Sequence, residues 1–182
     1  MRLYHGTSFS ASQSIISSEK ILHQIERTYD ESSLFPTTNG LVYLTNNIGY
    51  AIYVANKEAI FRRENFFSVF EVEVDEGELL SDLDQLDYVC RIKREDAAHF
   101  TWSDSLDKAQ SCCVARSLHL IADIRKQLVL PSNINLEHQF RPLTRELIML
   151  RKNGDHRKAS DMLRGQIWHT FSGADEQSKL MR

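Results

Sequence analysis

The apolar period of this chain changes near residue 136, and that change limits the folds open to it. From Phe66 to Asp75 the residues alternate in the manner of a strand: Phe67, Val69, Glu71 and Glu73 fall on one face, Phe66, Ser68, Phe70, Val72 and Val74 on the other. The second set is expected to be the core face. Beyond residue 136 the spacing becomes helical. Leu136, Phe140, Leu143, Leu147 and Leu150 form one stripe, Asn153-Gly154 interrupts it, and Ala159, Met162, Leu163, Ile167 and Trp168 form a second. A strand-rich front followed by a helical hairpin predicts an α+β chain, with residues 1–135 as its main domain and residues 136–182 as a helical extension packed on it.

Local signals supply the rest. Arg2 to His5 reads as a strand stopped by Gly6, and Ser8 or Ser10 caps a helix over Ala11 to Ser18. Residues 26–40 form a polar loop long enough to serve as a lid. Leu41 to Thr45 is a buried strand, and Asn46 or Asn47 caps a helix from Ile48 to Arg63. Leu79-Leu80 follows a turn at Gly77, a helix is expected over 104–113, and Ser117 to Ile121 and Leu128 to Leu130 read as strands, the second ended by Pro131.

Composition narrows the class. With 182 residues, 42% of them apolar, and only 7 glycines and 3 prolines, the chain has the means for one sizeable core and little material for a linker. Disorder and collagen-like repeats are excluded. Cys90, Cys112 and Cys113 are too few for a disulfide framework, and a vicinal pair in an apolar run suits a reducing compartment. The start, Met1 to Gly6, reaches Gly and Ser before an apolar leader segment forms, and no stretch has the roughly 20 apolar residues of a membrane span. A soluble cytoplasmic protein without a membrane partner is expected. Residues 1–90 hold 6 basic and 14 acidic side chains and residues 91–182 hold 16 and 11, giving −8 and +5. A solvated surface accounts for that asymmetry, and a weak preference for a polyanion is compatible with it.

Several chemistries have no footing. There is no Gly-rich phosphate loop and no G-x-S-x-G elbow, and the seven histidines are scattered without metal-ligand spacing, so no metal site is expected. One constellation remains. Tyr4-His5-Gly6-Thr7 closes the first strand, Gly40-Leu41-Val42-Tyr43-Leu44-Thr45 forms the next, and Gly49-Tyr50-Ala51-Ile52-Tyr53-Val54 lies on the helix after it. An imidazole at a strand end, beside a residue without a side chain, offers a ring nitrogen and an approachable backbone. Tyr43 on the strand and Tyr53 on the helix can face each other across a slot that accepts a flat, electron-poor ring.

These pieces resemble an ADP-ribosyltransferase of the His-Tyr-Glu kind, the superfamily of the poly(ADP-ribose) polymerases and diphtheria toxin. The resemblance covers roughly the first 130 residues. It implies a split β-sheet core with flanking helices and NAD as co-substrate. His5 would hold the nicotinamide-side ribose, the Gly6 backbone would pair with the carboxamide, and Tyr43 and Tyr53 would sandwich the nicotinamide, with Thr7 beside them. The family's Glu opens a late strand. The equivalent segment here is Arg125 to Pro131, which makes Gln127 the third catalytic candidate after His5 and Tyr43, an acceptor without negative charge. Arg27 on the loop is the pyrophosphate candidate. The implied activity is mono-ADP-ribosyl transfer to a macromolecule, nucleic acid slightly ahead of protein, in the setting of a toxin or anti-phage effector with an antitoxin or chaperone partner.

Three other readings stay open on sequence. An RNA 2′-phosphotransferase shares the His-Gly-Thr start, but the strand from Leu41 to Thr45 lacks the arginines and second His that reaction needs. A module that binds NAD or ADP-ribose without turnover fits the missing Glu. A pure interaction protein would use the helical tail.

Overall fold

A computed structural model of the chain describes residues 1–24, 38–151 and 156–172. Arg27, the greater part of the 26–40 loop and the Asn153-Gly154 break lie outside the described residues. The chain is a mixture of helices and antiparallel strands, as the change of period predicts.

The first strand, β1 (Arg2–Ser8), runs through Gly6 instead of stopping there. Ser8 then caps α1 (Phe9–Ser18), accepting from the Ala11 amide at 3.4 Å, and Glu19 ends the helix in the left-handed region at φ 57°. After β2 (Lys20–Ile21) and β3 (Val42–Leu44), Asn47 caps α2 (Ile48–Phe61) through the Tyr50 amide at 3.2 Å. The long β4 (Phe66–Glu73) leads to β5 (Leu80–Ser81). Two short helices unmarked by the apolar period follow, α3 (Leu83–Tyr88), capped by Asp82, and α4 (Arg94–Ala97).

Next comes α5 (Trp102–Ala109), opened by a reciprocal Thr101–Asp104 capping box. The helix expected over 104–113 stops early, because Gln110 turns left-handed at φ 58°. Cys112 and Cys113 therefore lie in a buried strand, β6 (Cys112–Val114), and all three cysteines are free thiols. β7 (Leu118–His119) is cut short where Ile121 adopts φ 71°. β8 (Ile124–Pro131) begins earlier than its apolar run and ends at the proline.

The tail holds α6 (Arg141–Leu150) and α7 (His156–Leu163), then β9 (His169–Thr170). Both helices are shorter than the apolar stripes. Leu136 is 68% and Ile167 91% exposed, and both lie outside the helices, as do Phe140 and Trp168. Leu147, Leu150, Ala159 and Leu163 keep the inward face the period assigned them.

The strands form a four-stranded antiparallel sheet in the order β1-β4-β8-β9, a three-stranded sheet β3-β6-β5, and the pair β2-β7. β4 is interior to its sheet and covered on both faces, so its alternation does not divide core from solvent. Phe67 and Val69 pack with Leu128, Leu130, Ile52 and Leu147 beneath α2 and α6. Phe70, Val72 and Val74 pack with Leu3, Val42, Leu44 and Val114, which joins the two larger sheets through a second core. Among the described residues no helix is long and apolar enough to cross a membrane, and no group of acidic, His and Cys side chains is arranged to hold a metal ion.

Candidate functional site

The two sequence motifs meet at the edge of the larger sheet. Tyr4 and Thr45 exchange main-chain hydrogen bonds at 2.8 and 3.0 Å, tying β1 to the end of β3. His5 Nδ1 lies 3.0 Å from the Tyr43 carbonyl oxygen. A carbonyl only accepts, so Nδ1 carries a proton and donates it there.

The register identifies what the Gly6 backbone faces. Met1 and Val74 exchange both of their main-chain bonds, so alternation makes Leu3–Val72, His5–Phe70 and Thr7–Ser68 the other bonded pairs of β1 and β4. Tyr4 and Gly6 fall between, with N–H and C=O turned away from β4. Tyr4 finds Thr45 there. Gly6 finds no hydrogen-bond partner among the described residues, because β3 belongs to the other sheet and diverges. The side-chain position of Gly6 is filled in a different way from the one its sequence context suggested. A Cβ there would lie 2.1 Å from the Ala51 carbonyl oxygen and 3.1 Å from the Ala55 methyl, so the absent side chain admits the backbone of α2, and the in-plane edge of the peptide is what remains open.

Tyr43 projects from β3 on the side opposite the buried Val42 and Leu44. Its hydroxyl donates to Asp84 on α3, a carboxylate only 4% exposed. Asp84 also accepts from the Thr38 amide at 2.6 Å, from the Thr38 hydroxyl at 2.9 Å and from Arg94. Burial, then the hydrogen bond to Asp84, holds the Tyr43 phenol above its ordinary pKa. One helix residue on, Gln85 Oε1 accepts from the Tyr50 hydroxyl at 3.4 Å, and burial pushes that phenol up to about 12. Asp82, fully buried, caps α3 through the Gln85 amide at 2.9 Å and accepts from the Ser111 hydroxyl. Its burial pushes the carboxyl up to about 6.

Tyr53 sits farther along α2, its ring 6.1 Å from that of Tyr50 and capped by the Arg151 guanidinium at 3.8 Å. Among the described residues the Tyr43 ring makes no ring contact with it. The phenol brought to the same wall of α3 as Tyr43 is Tyr50, which sequence reasoning did not single out. Neither Asp84 nor Gln85 was singled out either. Asp82 carries the one signal that could have marked this helix, an Asp in the capping position ahead of Leu83.

Gln127 lies in the middle of β8 and not at a strand start. Phe70 pairs with it on one side and with His5 beyond, so His5, Phe70, Gln127 and His169 form one row on one face of the sheet. His5 and Gln127 are two strand spacings apart, about 10 Å at the backbone. Gln127 Nε2 donates to Ser68 Oγ at 3.0 Å. Thr7 shares the face of His5 and is 6% exposed. Arg27 lies outside the described residues.

Comparison of the chain with models of known protein families finds no match, and no curated protein matches it.

Proposed function

We propose that this chain is a mono-ADP-ribosyltransferase that takes ADP-ribose from NAD and passes it to a macromolecular acceptor, nucleic acid ahead of protein, on a split-sheet core of the His-Tyr-Glu kind. The observation that carries the reading is the outward edge of Gly6. One N–H and one C=O of the same residue face the gap between β1 and β3, next to His5 and Tyr43. A primary carboxamide has the complementary acceptor and donor, and nicotinamide presents them on a flat ring.

In this reading the nicotinamide amide pairs with Gly6 and its ring lies against the face of Tyr43. The phenol oxygen is held by Asp84, which fixes the ring as a wall. The aromatic pair Tyr50 and Tyr53 of α2 forms the opposite side. His5, its ring anchored through Nδ1–H to the Tyr43 carbonyl, lines the ribose side of the same edge. Loss of nicotinamide breaks the C1′–N bond, both electrons leave with the ring nitrogen, and positive charge develops on the ribose. The acceptor's nucleophile then bonds to C1′ and releases its proton. Gln127 accepts a ribose hydroxyl without supplying negative charge, so electrostatic stabilisation of that cation is weaker than a carboxylate would give. Rate enhancement then comes mainly from holding donor and acceptor in line and keeping water from the cation.

Incubating the full chain with labelled NAD and a cell lysate, then digesting separately with nuclease and with protease, tests this. Release of nicotinamide with label lost to one of the two treatments is the expected result. NAD that neither binds nor loses nicotinamide overturns the reading. Binding by calorimetry without nicotinamide release would favour the second reading, a non-catalytic NAD or ADP-ribose module, which the uncharged Gln127 supports.

A further inference from the structure

Gln127 is the one member of the candidate site whose usefulness depends on which end of its side chain points outward. An amide oxygen accepts a ribose hydroxyl's proton as a carboxylate would, whereas an amide NH₂ only donates. A chain of buried hydroxyls decides between the two. At its far end, the Ser12 hydroxyl lies 2.7 Å from the Phe9 carbonyl oxygen, which only accepts, so the single Ser12 proton is directed there. The Ser12 oxygen is therefore the acceptor in its 2.9 Å contact with the Ser68 hydroxyl, and the single Ser68 proton is directed at Ser12. The Ser68 oxygen is in turn an acceptor, and only the NH₂ end of Gln127 can satisfy it, at 3.0 Å.

Ser12 and Ser68 are both fully buried, so water does not offer them other partners. With Nε2 drawn inward, Oε1 is the end left over. It has no hydrogen bond among the described residues and is not one of the sealed, unpartnered polar atoms. It lies on the face of the sheet that His5 shares, in the same row.

We infer that Ser12 and Ser68 are positioning residues that lock the Gln127 amide with its oxygen outward, so that a neutral side chain presents to the donor ribose the acceptor atom a carboxylate would present. The inference rests on the transferase reading for its consequence in catalysis, but the orientation itself is a property of the unliganded protein. It also makes an unusual claim about rank. Ser68→Ala removes the inward partner and leaves the amide to sample both orientations. Ser12→Ala is more disruptive although it is one residue farther away, because the Ser68 proton loses its acceptor and turns to the Gln127 oxygen, which pulls Oε1 inward and drives NH₂ out.

Two measurements test this on the full chain. In the first, side-chain amide NMR of unliganded protein is expected to show Gln127 protons protected from solvent exchange, with that protection reduced in Ser68→Ala and lost in Ser12→Ala. Unprotected Gln127 protons in the parent would overturn the inference whatever the activity. In the second, kcat for ADP-ribosyl transfer is expected to fall about threefold in Ser68→Ala and about tenfold in Ser12→Ala, with KM for NAD little changed. Both losses should vanish on a Gln127→Glu background, since a carboxylate has two equivalent oxygens and needs no orienting. Losses that persist there, or a larger loss in Ser68→Ala than in Ser12→Ala, mean only a packing role and overturn the proposal. A parent that neither binds NAD nor releases nicotinamide defeats the transferase reading and leaves the NMR outcome standing by itself.

Discussion

The β1 edge of the four-stranded sheet and its interior at β4 share one hydrogen-bonded register, yet they treat their backbones in opposite ways. β4 has a partner strand on each side and a core against each face, Phe67 and Val69 below and Phe70 and Val72 above. β1 has one partner strand, a helix pressed against Gly6, and a single bridge to β3 before the second sheet turns away. Edge groups left open in this way usually invite another strand. Here α3 holds Tyr43 through Asp84 and Tyr50 through Gln85 beside that edge, and on the reading proposed above a flat carboxamide, and not a strand, takes the open groups. What separates the two regions is the departure of β3, and not a difference in hydrophobicity.

The comparison is broken most severely from the interior. Phe67→Ala empties a fully buried site between β4 and α2, and we expect a loss of about 4 kcal/mol in urea unfolding. Gly6→Ala tests the edge. Its Cβ would meet the Ala51 carbonyl at 2.1 Å, backbone against backbone, so about 3 kcal/mol of stability is lost as α2 is pushed off β1. The edge therefore depends on a residue with no side chain nearly as much as the interior depends on a large one. A Gly6→Ala protein as stable as its parent would show that α2 yields easily and that the close approach is incidental.

Tyr43→Ala separates site from scaffold. The side chain is half-buried and its hydroxyl donates to the buried Asp84, so urea unfolding should register a loss of about 2 kcal/mol, while transfer falls on the order of 100-fold through loss of the stacking wall. Transfer as fast as the parent's would remove Tyr43 from the site.

How far the sequence reported this arrangement follows from the same contrast. Periods record burial, so β4, α2, α6 and α7 were legible, and the strand and helix caps at Ser8 and Asn47 were marked by residue type. Burial on both faces of β4 was not legible, because Ser68 and Glu71 interrupt what would otherwise read as a continuous apolar run. The end of α5 turned on a left-handed Gln110, a conformation that residue seldom adopts, and β9 is too short and too polar for any period to register. The site divides in the same way. His5, Gly6 and Tyr43 were singled out because they lie in or beside strands that the sequence marks. Asp84 and Tyr50 were not, since Asp84 sits on a helix of only six residues and its contact with Tyr43 joins residues 41 positions apart.

Asp82 anchors that helix, and its titration gives a smaller but sharper test of the wall. Burial raises its carboxyl from 3.8 to about 6 in the folded chain. The folded state therefore holds the proton more tightly than the unfolded one, and ionised Asp82 works against the fold. Its contribution to stability is fully present below about pH 3.8 and is lost as pH rises through about 6. Asp82→Asn keeps an oxygen for the Gln85 amide and supplies an NH₂ that can donate to the Ser111 oxygen, so the cap survives without the charge. We expect the variant to be more stable than the parent by about 2 kcal/mol at pH 7.5, with the gap shrinking toward pH 4.5. Taking the difference between the two proteins cancels the opposite slope from Glu78, Asp104 and Asp123, whose carboxyls are held below their ordinary values by Arg116 and Thr101. A pH-independent difference would mean that the fold leaves the Asp82 carboxyl at its ordinary value and that the charged cap costs the folded chain nothing.

Arg151 bears on the α2 tyrosines. Its guanidinium covers the Tyr53 ring at 3.8 Å while its buried Nε has no hydrogen-bond partner among the described residues, so the stacking contact is offset by an unsatisfied donor. Arg151→Ala should therefore cost no more than about 1 kcal/mol in urea unfolding. If the Tyr50–Tyr53 pair forms the second wall, the same variant weakens NAD binding only modestly, about threefold by calorimetry, because the rings stay in place against α2. A large loss of NAD affinity with unchanged stability would instead make the guanidinium part of the donor site, and would move the centre of that site from the β1 edge toward the end of α6.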